Sequence, residues 1–244
     1  MKEKTRRVYI GTSGWNYNHW KGVLYPEDSP ANRWFYYYKE HFDTVEINNS
    51  FYRLPTEHAF KNWQKQAPAD FIYAVKASRY ITHMKKLKDP RISLRKFLSR
   101  IKYLKRNLGP VLYQLPPWWR CDPFRLQHFL KQLPKDRIHV FEFRNDSWLT
   151  KDVFGLLEAH GASFCIHDMP YVSCPRIVTG KIAYIRFHGT SAQYSGGYPH
   201  KTLRKWARWI TDRAKKVDVY VYFNNDAEGH AVRDALRLKK MVSA

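Results

Sequence analysis

Polar side chains stand at the end of each of eight short apolar runs in this 244-residue chain. In chain order they are Thr12, Ser13, Glu46, Asn48, Lys76, Gln114, Glu142, Arg144, His167, Asp168, Arg186, His188, Asn224 and Asn225. Residues two apart on a β-strand point to the same face, so Glu142 shares a face with Arg144, and Arg186 with His188. Charged groups in apolar strands are costly unless they are paired or functional. The pattern predicts one polar site where the strand ends meet.

The acidic members of this set suggest the chemistry, because two carboxylates at one site can act as acid and base or as acid and nucleophile. The candidate catalytic residues are Glu46, Glu142, Asp168, His188, Lys76 and Arg186. A divalent metal ion is the cofactor such a set would bind, and the candidate ligands are Glu46, Glu142, His167 and Asp168. No metal-binding motif such as H-E-x-x-H supports it. The alternative is a structural network in which the charges neutralise one another.

A second set of polar, glycine and aromatic residues is predicted to contact a phosphate or another part of a substrate. It comprises Trp15, Asn48, Tyr52, Arg53, His83, Gln114, Arg144, Trp148, Tyr194, Gly196, Gly197, Tyr198, Asn224 and Asn225. Part of it lies in the loop Gly189–Tyr198 after the seventh run, whose glycines, hydroxyls and tyrosines suit a phosphate or a sugar. The alternative for this loop is a mobile surface segment.

The elements that must position these residues alternate along the chain. The apolar runs, rich in Val, Ile, Tyr and Phe, predict strands over Val8–Thr12, Thr44–Asn48, Phe71–Lys76, Val111–Leu115, His139–Arg144, Ser163–Asp168, Ala183–His188 and Val219–Asn224. The intervening stretches predict helices over Asn32–Phe42, Glu57–Gln66, Ser93–Asn107, Phe124–Gln132, Lys151–His160, Lys201–Lys216 and Ala227–Lys240. Asp122 and Thr150 are predicted to cap the fourth and fifth of these helices.

This alternation predicts an α/β fold with a parallel sheet and right-handed crossovers. We expect a single (β/α)8 TIM-type barrel over residues 1–244, because its length fits one such barrel of about 250 residues. The sixth helix, over Met169–Gly180, is expected to be short or absent, because that segment is interrupted by proline. The alternative is an open doubly wound sheet.

Charge is the strongest compositional signal, since 43 Lys and Arg oppose 21 Asp and Glu and give a formal net charge of +22. Such a field attracts polyanions, and nucleic acid is the expected partner class. The stretch from Lys76 to Arg106 holds twelve Lys and Arg and one acid, Asp89. The alternative is a solvated basic surface. The sequence offers no sign of an obligate protein partner.

Other features exclude whole classes of protein. Cys121, Cys165 and Cys174 form no C-x-x-C pair, so neither a disulfide framework nor a zinc site is expected, and Cys165 is predicted to be a buried thiol. No run approaches the roughly 18 apolar residues of a membrane span, and no signal-peptide core is found, so we expect a cytoplasmic protein. P-loop, G-x-G-x-x-G and G-x-S-x-G motifs do not occur, which argues against a nucleotide cofactor.

The strand-end motifs resemble those of the DUF72 (YecE-like) family from about residue 8 to 240. They are Ile10-Gly-Thr-Ser-Gly-Trp15, Thr44-Val-Glu-Ile-Asn48, Phe51-Tyr-Arg53, Thr82-His83, Gln114-Leu-Pro-Pro117, Glu142-Phe-Arg144 with Trp148, Arg186-Phe-His-Gly189 and Phe223-Asn-Asn225. The resemblance implies a TIM-type barrel. A likeness of some members to endonuclease IV-type barrels implies nucleic-acid binding or phosphodiester hydrolysis, by analogy alone. Those nucleases hold three metal ions with many His and acidic ligands. This chain offers only His167 and His188 at the predicted strand ends and His83 in a loop, which argues against a three-metal site.

Three functional hypotheses result. The first is a nucleic-acid-directed phosphodiester hydrolase. In it Arg186, Lys76 and the Gly196-Gly197 loop hold phosphate, the acidic candidates supply a base or metal ligands, and His188 supplies an acid. The second is a barrel enzyme acting on a small phosphorylated or sugar substrate by carboxylate acid–base chemistry. The third is a nucleic-acid-binding protein without catalysis.

Overall fold

The strands of the computed structural model, which describes residues 7–169, 173–191 and 194–243, form one parallel barrel. They are β1 (Val8–Thr12), β2 (Thr44–Ile47), β3 (Ile72–Lys76), β4 (Leu108–Gln114), β5 (His139–Glu142), β6 (Ser163–Asp168), β7 (Ile182–Phe187) and β8 (Asp218–Phe223). Neighbours follow the order β1-β8-β7-β6-β5-β4-β3-β2. A parallel bridge between Ser13 and Glu46 joins the remaining edges, β1 and β2. The predicted (β/α)8 barrel is confirmed, and the open sheet is wrong.

Helices follow most strands and surround the barrel. They are α1 (Trp34–His41), α2 (Asn49–Tyr52), α3 (Glu57–Gln66), α4 (Pro90–Ile101), α5 (Pro123–Leu130), α6 (Lys151–Ala159), α7 (His200–Ala214) and α8 (His230–Ser243). Asp122 and Thr150 cap α5 and α6, because their side chains accept from the N–H groups of Arg125 at 3.0 Å and Val153 at 3.3 Å. No helix occurs among the described residues between β6 and β7, as expected. Within the ranges given above, no helix is long and apolar enough to cross a membrane.

The predicted helix Ser93–Asn107 is wrong in its second half. The α-helix ends at Ile101 and continues as a 3-10 segment, Lys102–Asn107, which is interrupted where Lys105 adopts φ 50°. The buried Asn107 side chain donates to Pro68 O at 2.9 Å and to Phe71 O at 2.7 Å. These bonds hold Asn107 beside the segment before β3. A helix that continued without interruption would place Asn107 away from that segment.

The barrel interior has an apolar lower layer and a polar upper layer. The upper one, called the polar layer below, contains Glu46, Lys76, Glu142, Arg144, Arg186 and His188. The apolar layer consists of Tyr9, Ala74, Leu112, Val140, Cys165, Ile182, Tyr184, Tyr220 and Tyr222. A tyrosine hydroxyl connects the two layers, since Tyr184 Oη donates to Glu46 Oε2 at 2.6 Å. Cys165 is fully buried, as predicted. The upper layer lies at the carboxyl ends of the strands, where barrel enzymes place their active sites.

Candidate functional site

Arg186 lies at the centre of the polar layer and joins the two predicted glutamates. Its side chain is 0% exposed, and its Nη2 and Nη1 donate to Glu46 Oε1 and Glu142 Oε2, both at 2.7 Å. A guanidinium is a planar fork of donors that matches carboxylates, so it suits this bridging position. Arg186 therefore neutralises the glutamates, as in the structural alternative, and its terminal nitrogens are directed at carboxylates instead of a phosphate.

Glu142 has a second cationic partner, Arg144. Arg144 Nε contacts Glu142 Oε1, and Arg144 Nη2 donates to His188 Nε2 at 3.1 Å. Burial alone would raise the pKa of Glu142, but the Arg144 and Arg186 guanidinium groups outweigh burial and hold that pKa well below its usual range. Burial, followed by the charge of Arg144, holds the pKa of His188 well below its ordinary value. Glu142 is therefore ionised and His188 neutral, which does not favour the predicted acid role of His188.

Lys76, at the end of β3, differs from these cations because it makes no ion pair with any described residue. Its Nζ lies 4.2 Å from the centre of the Phe51 ring, and the residue is 8% exposed. Burial, followed by the charge of Arg186, lowers the pKa of Lys76 to about 7. Near neutral pH the amine therefore exists in both charged and neutral forms, whereas guanidinium groups stay charged.

Three further predicted residues lie at the same end of the barrel. The His83 ring packs edge-on against Phe51, with 4.9 Å between ring centres, and its pKa is lowered to about 4 by burial and then by Lys76. Gln114 is in register with Glu142 on the neighbouring strand. Asn224 Nδ2 lies 3.2 Å from His188 Nδ1. Strand register thus brings together side chains that are far apart in sequence.

The predicted metal ligands do not form one set. His167 Nε2 lies 2.9 Å from Phe143 O inside the barrel, whereas Asp168 Oδ2 accepts from Trp206 Nε1 at 3.0 Å on the outside. Adjacent residues of a strand point to opposite faces, so the two cannot converge. Within the described residues no three His, Cys, Asp or Glu side chains are placed to hold a metal ion. The residues present do not fit the predicted metal, and Asp168 is absent from the polar layer.

Three predicted contact residues are buried and bonded to other parts of the protein. Trp148 is 0% exposed, stacks on Phe143 with 5.0 Å between ring centres, and donates to Trp119 O at 2.7 Å. Tyr198 and Asn225 are also buried, and both bond to Asp234 Oδ2 at 2.9 Å. Each is enclosed by protein partners, and its contact with a substrate stays a prediction.

The loop after β7 is organised by its own hydrogen bonds. Thr190 N–H donates to Ser195 O and Thr190 Oγ1 to Gly197 O, both at 3.1 Å. Gly196 has φ 83°, and a Cβ there would approach Ser191 Oγ to 2.5 Å, so the turn itself requires glycine. Tyr194 reaches the polar layer, with its ring centre 5.7 Å from that of His188. Phosphate contact by Gly196 and Gly197 remains a prediction.

Trp15, Asn48 and Tyr52 line a cleft beside the polar layer. This cleft of about 660 Å³ is bordered by the loops after β1 and β2 and by helix α3. Residues of α3 that the sequence reasoning missed also line it, namely His58, Ala59, Asn62, Trp63 and Gln66. Their spacing of three and four residues places them on one helix face and is the signal that would have found them. Arg53 is exposed beyond α2.

Eight parallel strands enclosing a charged polar layer at their carboxyl ends define a TIM-type α/β barrel. The chain belongs to the family described as protein of unknown function DUF72, whose model matches residues 9–244. It is similar to the UPF0759 protein YunF of Bacillus subtilis, at 26% identity over 96% of this chain and 94% of that protein. It is also similar to YecE of Escherichia coli K12, at 28% identity over 59% of this chain and 51% of that protein.

Solved structures support the same fold. A DUF72 family protein from Thermotoga maritima is 30% identical, has a TM-score of 0.90, and matches 98% of this chain and 100% of its own. A DUF72 family protein from Enterococcus faecalis is 20% identical, has a TM-score of 0.85, and matches 97% of this chain and 96% of its own. The second likeness concerns the fold alone.

Proposed function

We propose that the polar layer binds an anionic group of a substrate, with phosphate as the best candidate, and that Lys76 exchanges a proton with that substrate. The observation that carries the proposal is the Lys76 amine, which makes no ion pair with any described residue, among otherwise paired charges. The carboxylates of Glu46 and Glu142 are matched by the guanidinium groups of Arg144 and Arg186. Protonated Lys76 therefore adds one positive charge for which the described residues provide no counter-ion. A buried unpaired charge is costly, and a bound anion offsets that cost.

Proton transfer at Lys76 follows from the same arrangement. Catalytic acids and bases work best when their pKa lies near the operating pH, and the pKa of Lys76 is about 7. Glu142 is held ionised by two guanidinium groups, and His188 is held neutral. Lys76 is thus better suited to proton transfer than the carboxylate pair of the original hypothesis. Phosphodiester hydrolysis would use it to deprotonate water, and a small phosphorylated substrate would be deprotonated directly.

Inorganic phosphate tests the anion site without knowledge of the substrate. We expect phosphate to raise the Tm of the protein more at pH 6 than at pH 8.5, because Lys76 is charged at the lower pH. Lys76→Met should remove that difference. Lys65→Met, an exposed lysine on α3, is the matched control and should retain it. Equal phosphate effects in Lys76→Met and Lys65→Met would contradict the proposal.

The two reaction classes can be separated by turnover. Bis(p-nitrophenyl) phosphate tests phosphodiester hydrolysis, and proton exchange from the carbon skeleton of sugar phosphates in deuterated water tests chemistry on small substrates. The kcat/KM of either activity should rise with pH through about 7, because this ratio reports the free enzyme, in which Lys76 loses its proton there. Activity that persists unchanged in Lys76→Met would exclude Lys76 as the proton-transfer group.

Nucleic-acid binding is a second candidate function, favoured by a separate observation. The twelve Lys and Arg between Lys76 and Arg106 make no ion pair with any described residue. Several of them, including Arg91, Arg95 and Lys96, are exposed on α4. Unneutralised cations on one helix provide the contacts that a phosphate backbone requires. We call this surface the α4 basic face.

Salt dependence tests the α4 basic face. For a fluorescent single-stranded 20-mer, the logarithm of the binding constant should fall linearly with the logarithm of the salt concentration, with a slope of about 0.7 per phosphate contact. Replacing Arg91, Arg95 and Lys96 by Gln should reduce that slope more than replacing Arg204, Lys205 and Arg208, which are exposed on α7. Absence of binding at low salt, or equal effects of the two triple variants, would argue against this function.

A further inference from the structure

The cleft beside the polar layer is chemically unlike the rest of the protein surface. Charged residues make up 26% of the chain, yet the described residues that line the cleft include no Asp, Glu, Lys or Arg. Its volume of about 660 Å³ is within the range of small-molecule sites, roughly 300–1,000 Å³. A lining without charge selects for an uncharged part of a ligand, because such a part loses little solvation on entering it.

The cleft combines aromatic rings with side-chain amides. Trp15 and Trp63 meet edge to face with 5.5 Å between ring centres, and both are only partly buried. Asn49, Asn62 and Gln66 also line it, and their side-chain amides make no hydrogen bond to any described residue. Aromatic rings stack on flat heterocycles, and an Asn or Gln amide pairs with the adjacent donor and acceptor of a base edge.

Asn48 connects the cleft to the polar layer. It follows β2 two residues after Glu46, and its buried Oδ1 has no hydrogen-bond partner among the described residues. Tyr17, another lining residue, donates to Ser13 O at 2.7 Å, and Ser13 Oγ donates to Glu46 Oε1 at 2.7 Å. Two hydrogen bonds, both made by Ser13, therefore link the cleft lining to Glu46 of the polar layer.

We propose that this cleft, here named the amide cleft, binds the nucleobase of a nucleotide whose phosphate lies at the polar layer. The phosphate half of this inference rests on the proposed function, whereas the base half rests on the cleft alone. A free mononucleotide and the terminal nucleotide of a strand present the same chemistry to these two sites. The high positive charge of the chain is compatible with either source.

Ligands that carry only one of the two groups separate the sites. We expect calorimetric titration to detect binding of at least one of adenosine, guanosine, cytidine and uridine, which have no phosphate. The matching 5′-monophosphate should bind more tightly, and ribose 5-phosphate should bind without using the amide cleft. A 5′-phosphorylated trinucleotide that binds more tightly than the mononucleotide would identify a strand end as the source, and the reverse order would identify the free nucleotide.

Variants of α3 test the base half. Asn62 and Gln66 are exposed on this helix, so replacing both by Ala should leave the fold intact. Binding of the preferred nucleoside and nucleotide should weaken by about tenfold, while binding of ribose 5-phosphate stays the same. Lys65→Ala, on the same helix but outside the cleft, is the matched control and should bind all ligands as the wild type does.

The outcomes distinguish failure of this inference from failure of the proposed function. Lys76→Met should weaken binding of ribose 5-phosphate and the nucleotide but not of the nucleoside. Failure of all four nucleosides to bind, or unchanged nucleoside binding in the α3 double variant, overturns the base site even if phosphate still binds. Nucleoside binding that persists when no phosphate effect is found overturns the anion site alone.

Discussion

Arg186 is fully buried and bridges Glu46 and Glu142, so each of the three charges depends on the others. Removing one partner of a buried ion pair leaves an uncompensated charge. We therefore expect Arg186→Met to lower the free energy of unfolding by about 3–5 kcal/mol, measured by urea unfolding.

Arg208→Met provides the comparison, since Arg208 is exposed on α7 and should change the free energy of unfolding by less than about 0.5 kcal/mol. If Arg186→Met lowered the free energy of unfolding as little as Arg208→Met does, the glutamates would not depend on Arg186. The charge balance assigned to the polar layer would then be incorrect.

Residue types and spacing predicted part of the site correctly. The two-residue period of a strand placed Glu142 with Arg144 and Arg186 with His188, and all four meet in the polar layer. The same period excludes Asp168 once His167 faces inward. Position beside a strand end did not reveal that Trp148 is fully buried and stacks on Phe143. Such tertiary contacts are not encoded in local spacing.

At the scale of elements, the eight strands were predictable because strands buried on both faces form continuous apolar runs. The end of α4 at Ile101 was not predictable, since the apolar residues keep helical spacing through the 3-10 segment that follows it. What ends the α-helix is tertiary, namely the bonds of Asn107 to the chain before β3. Amphipathic spacing identifies the buried face of a helix but does not reveal where hydrogen bonds to a distant segment end that helix.

The role of Asn107 gives a test at this scale. Asn107→Ala removes both donors and leaves the carbonyls of Pro68 and Phe71 without them, so the free energy of unfolding should fall by about 1–3 kcal/mol. Ser99→Ala on the exposed face of α4 should change it by less than about 0.5 kcal/mol. Thermal and urea unfolding measure both variants. Equal free energies of unfolding for the two variants would show that the side-chain bonds of Asn107 do not stabilise this segment.

At the scale of the whole molecule, the buried histidines make stability depend on pH. Burial lowers the pKa of His167 to about 4, whereas an unfolded histidine titrates near about 6.5. Between these values the unfolded chain binds a proton that the native protein does not. The contribution of neutral His167 is therefore complete above pH about 6.5 and is lost as pH falls towards 4.

His167→Gln should reduce this acid sensitivity, by up to about 1.4 kcal/mol per pH unit between pH 6.5 and 4. Comparison with the wild type isolates His167 from groups that act in the opposite sense, such as Asp226, whose pKa burial raises to about 6. Urea unfolding at several pH values measures the slope, and His128→Gln on the exposed face of α5 is the control. Parallel pH curves for wild type and His167→Gln would contradict the assignment.

The proposed function depends most on Lys76, whose amine makes no ion pair with any described residue and is proposed to bind an anion and to exchange a proton near neutral pH. Nuclear magnetic resonance of protein labelled with ¹³C at the lysine ε-carbon follows that amine directly, and Lys76→Arg assigns its signal by removing it. The predicted titration midpoint is about 7, and it should move upwards when inorganic phosphate is added, because a bound anion favours the charged amine. A midpoint near the ordinary lysine value of about 10.4, unchanged by phosphate, would contradict the account.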